Sequence, residues 1–88
     1  MPARTRNVWV FVHGERDDQV SGAEVEIVEA RRTARASHGG PDSGGYRWAL
    51  FHDLPHGEYT VRVRFPSGAE QARRVRIADD ANQVRFDA

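Results

Sequence analysis

Residues 58–65 read Glu-Tyr-Thr-Val-Arg-Val-Arg-Phe. Every second side chain in this stretch is apolar, and the residues between them are polar or charged. Side chains of a β-strand alternate between the two faces of a sheet, so this period of two predicts a strand with one buried face. The residues predicted to face inward are Tyr59, Val61, Val63 and Phe65.

The same alternation recurs along the chain, with turn-forming residues between the apolar runs. It predicts further strands at residues 7–13, 23–29, 32–37, 46–51, 69–77 and 83–87. A helix is the alternative for residues 23–36, which are rich in Ala, Glu and Arg, but the β-branched side chains of Val25, Ile27 and Val28 favour a strand. The prediction is therefore an all-β, seven-stranded Greek-key sandwich that forms one domain over residues 1–88.

Three motifs at matching positions resemble the carboxypeptidase regulatory-like domains. Residues 20–25 (Val-Ser-Gly-Ala-Glu-Val) resemble that family's entry strand, and residues 45–48 (Gly-Tyr-Arg-Trp) resemble its "G.Y.f" strand. Residues 54–61 (Leu-Pro-His-Gly-Glu-Tyr-Thr-Val) resemble its "LP.G.YtV" turn and strand. The resemblance implies a transthyretin-like, Ig-like sandwich of the carbohydrate-binding-like fold group, and a role as an accessory module without catalytic activity.

The resemblance also brings in one enzyme class, the transthyretin-like hydroxyisourate hydrolases. Those enzymes carry a C-terminal Tyr-Arg-Gly-Ser tail that builds their active site. This chain ends Arg-Phe-Asp-Ala over residues 85–88 and lacks that tail. We therefore expect no enzymatic activity and no catalytic residues, and the hydrolase is kept as a remote alternative.

Composition excludes several kinds of chemistry. Thirteen basic residues balance thirteen acidic ones, so the chain lacks the positive field expected of a nucleic-acid-binding protein. All the basic residues are arginine, which removes lysine Schiff-base chemistry, and the absence of cysteine removes disulfides and thiolate sites. We find no apolar stretch long enough for a membrane helix and no signal peptide. We therefore expect a cytoplasmic protein, with export as part of a larger chain left open.

Two groups of side chains suggest metal ligands. The first comprises His13, His38, His52 and His56, with Asp53 beside the last two. The second comprises Glu15, Asp17, Asp18 and Asp42, acidic residues of the kind that bind calcium in loops. The histidines fall as two pairs at opposite ends of the predicted sandwich, and the acidic residues lack calcium-loop spacing. We therefore expect no metal and no cofactor.

Arginines on the outer faces of the last three predicted strands form a candidate anion-binding stripe. They are Arg62, Arg64, Arg74, Arg76 and Arg85. Acidic residues on neighbouring strands are available as cross-strand partners, so the alternative is a charge-laced solvent face.

Aromatic side chains supply the second candidate surface. Trp9 and Phe11 face away from the side that Val8, Val10 and Val12 occupy, and Trp48 belongs to a second strand with apolar residues on both faces. A sandwich strand needs only one apolar face, so the second face predicts an additional buried surface. It is a homodimer interface, a docking face for another protein, a platform for sugar rings, or a face covered by loops within the monomer. The predicted interaction residues are Trp9, Phe11, Trp48, Arg62, Arg64, Arg74 and Arg76.

We predict from these features a non-enzymatic protein-interaction or assembly module whose partner is another protein or a second copy of the chain. A carbohydrate-binding module using exposed aromatic rings is the alternative.

Overall fold

The strand pattern is confirmed as an all-β fold of two packed sheets. The computed structural model describes residues 4–39 and 45–88, and within those ranges it contains no α-helix. The strands are β1 (Thr5–His13), β2 (Glu24–Ile27), β3 (Arg32–Arg35), β4 (His38–Gly39), β5 (Tyr46–Pro55), β6 (Gly57–Arg64), β7 (Glu70–Ile77) and β8 (Gln83–Asp87). Nowhere in the described ranges is there a helix with the length and apolar character needed to cross a membrane.

In the part of the chain that the structure describes, each sheet has four strands. Sheet A has the order β4-β5-β1-β8, and sheet B has the order β3-β2-β6-β7. Strand β1 pairs antiparallel with β5 and parallel with β8, whereas the three pairings within sheet B are antiparallel. The connection from β7 to β8 therefore passes from one sheet to the other.

The hydrophobic core lies between the two sheets and follows the predicted alternation. The inward valines of β1, β2 and β6 and the isoleucine of β2 are fully buried, and such β-branched residues suit a pleated surface. Among the apolar residues that the alternation of the predicted strands puts on their inward faces, Val10, Val25, Ile27, Val61, Val63 and Phe86 are buried. Tyr59 and Val75 pack against this core but are only partly buried. Tyr59 keeps its polar end at the surface, where its hydroxyl donates to the carbonyl oxygen of Pro55 at 2.6 Å.

Details of the prediction differ from the structure at two places, and the alternative to it is wrong at a third. Residues 4–39 and 45–88 form eight strands instead of the predicted seven, because the two-residue strand β4 pairs with the start of β5. The strand predicted at residues 46–51 is longer in the structure, where β5 continues to Pro55 through residues whose pattern predicts a turn. An extra residue there opposes β1 between Arg6 and Val8, and Asp53 takes a positive φ of 55°. The helix considered for residues 23–36 is wrong, since β2 and β3 pair as a hairpin there.

Arginines from sheet B cover both open sides of the sandwich. Arg73 donates to the carbonyl oxygen of Arg85 on the edge strand β8 at 2.8 Å, and its guanidinium lies 4.9 Å from the centre of the Phe86 ring. On the opposite side, Arg32 donates to the carbonyl oxygen of His52 at 2.5 Å. Polar side chains that occupy edge acceptors in this way protect a sheet edge from pairing with another chain.

Candidate functional site

The outer face of sheet A is apolar, whereas an ordinary sandwich exposes a polar face there. Because Val8, Val10 and Val12 take the inner face of β1, their neighbours Trp9 and Phe11 must point outward. The register places Trp9 level with Leu50 and Phe11 level with Trp48. The aromatic face, as the term is used below, consists of five half-buried side chains: Trp9, Phe11, Tyr46, Trp48 and Leu50.

The rings of the aromatic face are packed against one another. The Phe11 ring lies 5.8 Å from Trp48 at 49° and 6.5 Å from Tyr46 in an edge-to-face arrangement at 88°. His38 stacks on Trp48 at 6.1 Å, and His13 contacts Tyr46 at 4.5 Å. These contacts hold the rings in place before any partner arrives, which reduces the entropy lost on binding.

Arg85 lies beside the aromatic face, on β8 of sheet A, which corrects its predicted place among the arginines of β6 and β7. Its position is set by strand pairing, because β8 pairs with β1 in sheet A and does not lie beside β7. The Arg85 guanidinium lies 5.2 Å from the centre of the Tyr46 ring and donates to Asp87 at 3.1 Å. Asp87 Oδ1 also lies 3.4 Å from His13 Nδ1. One end of the aromatic face therefore carries charged and titratable groups.

An open groove of about 550 Å³ runs along the β8 side of the aromatic face. Its lining residues are Phe11, Tyr46, Gln83, Val84 and Arg85. The walls are mostly apolar, with the amide of Gln83 and the guanidinium of Arg85 as polar groups at the margin. This composition suits an apolar side chain of a partner that is oriented by a few polar contacts.

The four remaining predicted arginines lie on the outer face of sheet B. Arg62 lies 3.3 Å from Glu26, and Arg74 lies 3.2 Å from Glu29 and 3.4 Å from Glu58. This places cross-strand acidic partners beside two of the predicted anion-binding residues.

The other two arginines have acidic neighbours in register. Arg64 is level with Glu24 on one side and Glu70 on the other, and Arg76 is level with Glu58. Charges of alternating sign across a sheet are typical of a solvated face, which is the alternative that the sequence left open.

Glu29 anchors the turn after β2 to strand β6. Its carboxylate accepts hydrogen bonds from the backbone N–H of Thr60 at 2.6 Å and from the Thr60 hydroxyl at 2.8 Å. These hydrogen bonds, together with the nearby Arg74, hold the pKa of Glu29 below its ordinary value. Arg74 therefore contributes to a structural cluster at this corner of sheet B.

The predicted interaction residues thus divide into two surfaces on opposite sides of the molecule. Trp9, Phe11 and Trp48 lie together on sheet A, where the register places Phe11 beside Trp48. Arg62, Arg64, Arg74 and Arg76 lie on sheet B. A single flat partner surface cannot contact both groups.

The histidines lie as two separated groups. His13 and His38 lie on the outer face of sheet A, while His56 is at the opposite end, where its Nε2 lies 3.3 Å from Asp79. Within residues 4–39 and 45–88, no three His, Asp or Glu side chains come together in a way that could hold a metal ion.

The acidic loop after β1 is organised by an arginine. Both carboxylate oxygens of Asp17 accept hydrogen bonds from Arg47, each at 2.7 Å, and Arg47 also donates to the carbonyl oxygen of Gly39 at 3.0 Å. Asp18 pairs with Arg16 at 3.1 Å, and Asp42 lies outside the described residues. The hydrogen bonds from Arg47 lower the pKa of Asp17 and raise that of Arg47, against the opposing effect of burial.

We expect Asp17→Asn to lower stability at neutral pH, since it leaves the bidentate Arg47 without its carboxylate. Because the folded-state pKa of Asp17 is depressed, its contribution is present above the unfolded pKa, about 3.9. That contribution is lost as the pH falls through the folded value. The difference in urea midpoint between wild type and variant should therefore be largest near pH 7 and should shrink as the solution is made acidic.

The matched control is Asp18→Asn, which changes an exposed carboxylate in the same turn. Its effect should be small at every pH, since exposed ion pairs contribute little. Equal losses for the two variants would contradict a special role for the Asp17–Arg47 pair.

The place of Arg85 beside the aromatic face could not be read from the sequence, because it depends on which strand β8 joins. Tyr46 and Leu50 had a readable signal, since they share the outward parity of Trp48 in the same strand.

No family model, curated protein or solved structure matches this chain.

Proposed function

We propose that this protein is a non-enzymatic interaction and assembly module that docks a protein surface on its aromatic face. The observation that carries the proposal is the cluster formed by Trp9, Phe11, Tyr46, Trp48 and Leu50, which is half-buried on the outside of sheet A. Contiguous apolar surface of this kind is uncommon on small proteins unless it binds something, and aromatic side chains dominate the energetics of interfaces.

The geometry of the rings favours a protein partner over a glycan. Sugar rings stack on the open faces of aromatic side chains, but Arg85 and His13 already contact the Tyr46 ring, and His38 stacks on Trp48. Trp9 is the ring that would serve as the platform in a carbohydrate-binding module, which is the alternative function. A mixed surface of tilted rings, an aliphatic side chain and a charged margin is typical of protein interfaces.

We further propose that the fold is a transthyretin-like sandwich related to the carboxypeptidase regulatory-like domains. Support comes from the three sequence motifs and from the two four-stranded sheets. Leu54 of the "LP.G.YtV" motif is fully buried, and Tyr59 of the same motif packs against the core, so the motif serves the sandwich structurally. The hydrolase of the same fold stays a remote alternative.

Site-specific photocrosslinking tests the docking proposal. Replacing Trp9 with p-benzoylphenylalanine puts a photoreactive ring on the aromatic face, and irradiation of cells that produce the protein should give one covalent adduct with a polypeptide identifiable by mass spectrometry. Thr33→p-benzoylphenylalanine is the control, because Thr33 is exposed on the outer face of sheet B.

Three outcomes contradict the docking proposal. No adduct from position 9 would show that the face has no partner, and an adduct of carbohydrate mass would establish the glycan-binding alternative. Adducts of the same yield and identity from positions 9 and 33 would show contact without a preferred face.

A further inference from the structure

We infer that the groove along β8 binds an acidic segment of the partner polypeptide, in which a large apolar side chain lies next to a carboxylate. The inference rests on the proposed function, because it names the chemistry of the partner that docks on the aromatic face. It depends on three features of the groove, which are its apolar lining, the charge at its rim and the backbone groups that β8 turns outward.

The apolar lining has room for one large side chain of a partner. It includes the rings of Phe11 and Tyr46, and their edge-to-face contact at 6.5 Å keeps both rings in place. The volume of about 550 Å³ lies within the usual range of binding sites, so a leucine or phenylalanine side chain can enter. Burial of such an anchor supplies a large share of the affinity at protein interfaces.

The rim of the groove along β8 carries more positive than negative charge. Arg85 lies 5.2 Å from the centre of the Tyr46 ring, and Arg73 donates to the carbonyl oxygen of Arg85 at 2.8 Å. Asp87 is paired with Arg85, whereas Arg73 forms no ion pair within residues 4–39 and 45–88. Two guanidinium groups therefore meet one carboxylate here, and a carboxylate from a partner would complement the difference.

Arg85 is able to receive that carboxylate without disturbing the fold. Its side chain is 56% exposed, and its two contacts with Asp87, from Nε at 3.3 Å and Nη2 at 3.1 Å, go to one oxygen, Oδ1. The edge formed by Nη1 and Nη2 is therefore open to a second carboxylate, which can accept two parallel hydrogen bonds. An exposed ion pair contributes little stability, so sharing Arg85 with a partner costs little.

The outer edge of β8 offers backbone donors to the same segment. The N–H of Ala88 donates to the carbonyl oxygen of His13 at 2.7 Å, so the even-numbered residues of β8 turn their backbone groups toward β1. The odd-numbered residues turn theirs outward, where side chains from β7 already occupy the carbonyl oxygens of Arg85 and Asp87. The N–H groups of these residues remain as donors, and donors beside a guanidinium recognise oxygen atoms.

Photocrosslinking from the groove identifies the segment that binds. Gln83 is exposed, lines the groove and is level with Trp9 in the register of β1 and β8. Gln83→p-benzoylphenylalanine should capture the same polypeptide as position 9. Fragmentation of the adduct should place the link within a few residues of an acidic side chain that has a large apolar neighbour. A fluorescein-labelled synthetic peptide of that segment is the probe for the binding measurement.

Fluorescence anisotropy with this peptide tests the role of Arg85. Arg85→Gln should weaken binding about 10-fold or more, because a charge-assisted hydrogen bond is lost, and Arg85→Lys should restore part of the affinity. Replacing the peptide's carboxylate with an amide should give a similar loss. The two changes together should cost little more than either one alone, as expected for groups that contact each other. The matched control is Arg76→Gln, which removes an exposed arginine of β7 in sheet B and should leave binding unchanged.

The failures of the inference and of the proposed function differ. An adduct that maps to a basic or uncharged segment, or equal losses for Arg85→Gln and Arg76→Gln, overturns the acidic segment and leaves the proposed function intact. Additive losses in the combined variant overturn the pairing of Arg85 with the carboxylate. Crosslinking from position 9 but not from position 83 overturns the groove as the binding site. No adduct from either position overturns the proposed function as well.

Discussion

Phe86→Ala should remove about 3–5 kcal/mol of folding stability, the usual cost of deleting a buried aromatic ring. Phe86 is 1% exposed and lies between the sheets, on the strand that pairs with β1. Its ring also lies 4.9 Å from the Arg73 guanidinium, so the change removes a cation–π contact. At roughly 0.05–0.15 kcal/mol per residue, the whole domain is stable by only about 4–13 kcal/mol. The variant should therefore be largely unfolded in mild urea or at moderately raised temperature.

The control for this measurement is Gln83→Ala, in the same strand but exposed. Substitutions at such positions usually change stability by less than about 0.5 kcal/mol. A urea midpoint for Phe86→Ala close to that of Gln83→Ala would show that the Phe86 side chain is not packed between the two sheets.

Inward and outward faces were predictable because alternation is a local property. Val10, Val25 and Val61 are buried, as expected, since each lies at the inward parity of a strand whose neighbours two residues away are also apolar. Tyr59 was expected to be buried but is only partly so, because its hydroxyl must reach the Pro55 carbonyl near the surface. The Tyr59 hydroxyl thus prevents the full burial that the alternation predicts for this side chain.

Strand partners were not predictable, because pairing joins residues far apart in the chain. The sequence grouped Arg85 with the arginines of β6 and β7, which precede it, whereas β8 pairs in parallel with β1. The bulge at Asp53 was missed for a related reason. Asp tolerates positive φ in turns and in bulges alike, so its presence could not separate a strand irregularity from the end of a strand.

Edge protection did have a readable signal. Gln71 and Arg73 share the inward parity of Val75 and Ile77 in β7, yet they are polar. Polar residues at inward positions of a strand are typical of a sheet edge, where they cover the open side of the core. The structure places β7 at the edge of sheet B, with both side chains bonded to β8.

The aromatic face was predicted in part. Trp9 and Phe11 had to leave the core because their valine neighbours fill it, and the structure places both on the outer face. The register of β1 and β5 places Phe11 beside Trp48. The arginines of β6 and β7, which the sequence grouped with these aromatic residues, lie on the opposite side of the sandwich.

Trp9→Ala should weaken association and Val10→Ala should lower folding stability, although the two residues are adjacent. Val10 is fully buried, so losing its two methyl groups should cost about 1.5–3 kcal/mol of folding stability and leave association of the folded fraction unchanged. Trp9 is half-buried on the aromatic face, so its loss should change folding stability little. If the face binds a partner, an anchor of this kind is worth about 2 kcal/mol or more, which raises the dissociation constant about 30-fold.

Urea titration of both variants and sedimentation velocity of each with the captured partner measure the two effects separately. A large loss of stability in Trp9→Ala with unchanged association would mean that this ring serves the fold and not a partner. The contrast between the two residues is informative because alternation along one strand assigns one neighbour to the core and the other to the outer surface. An interaction role for the aromatic face therefore requires that the two variants lose different properties: association in Trp9→Ala and folding stability in Val10→Ala.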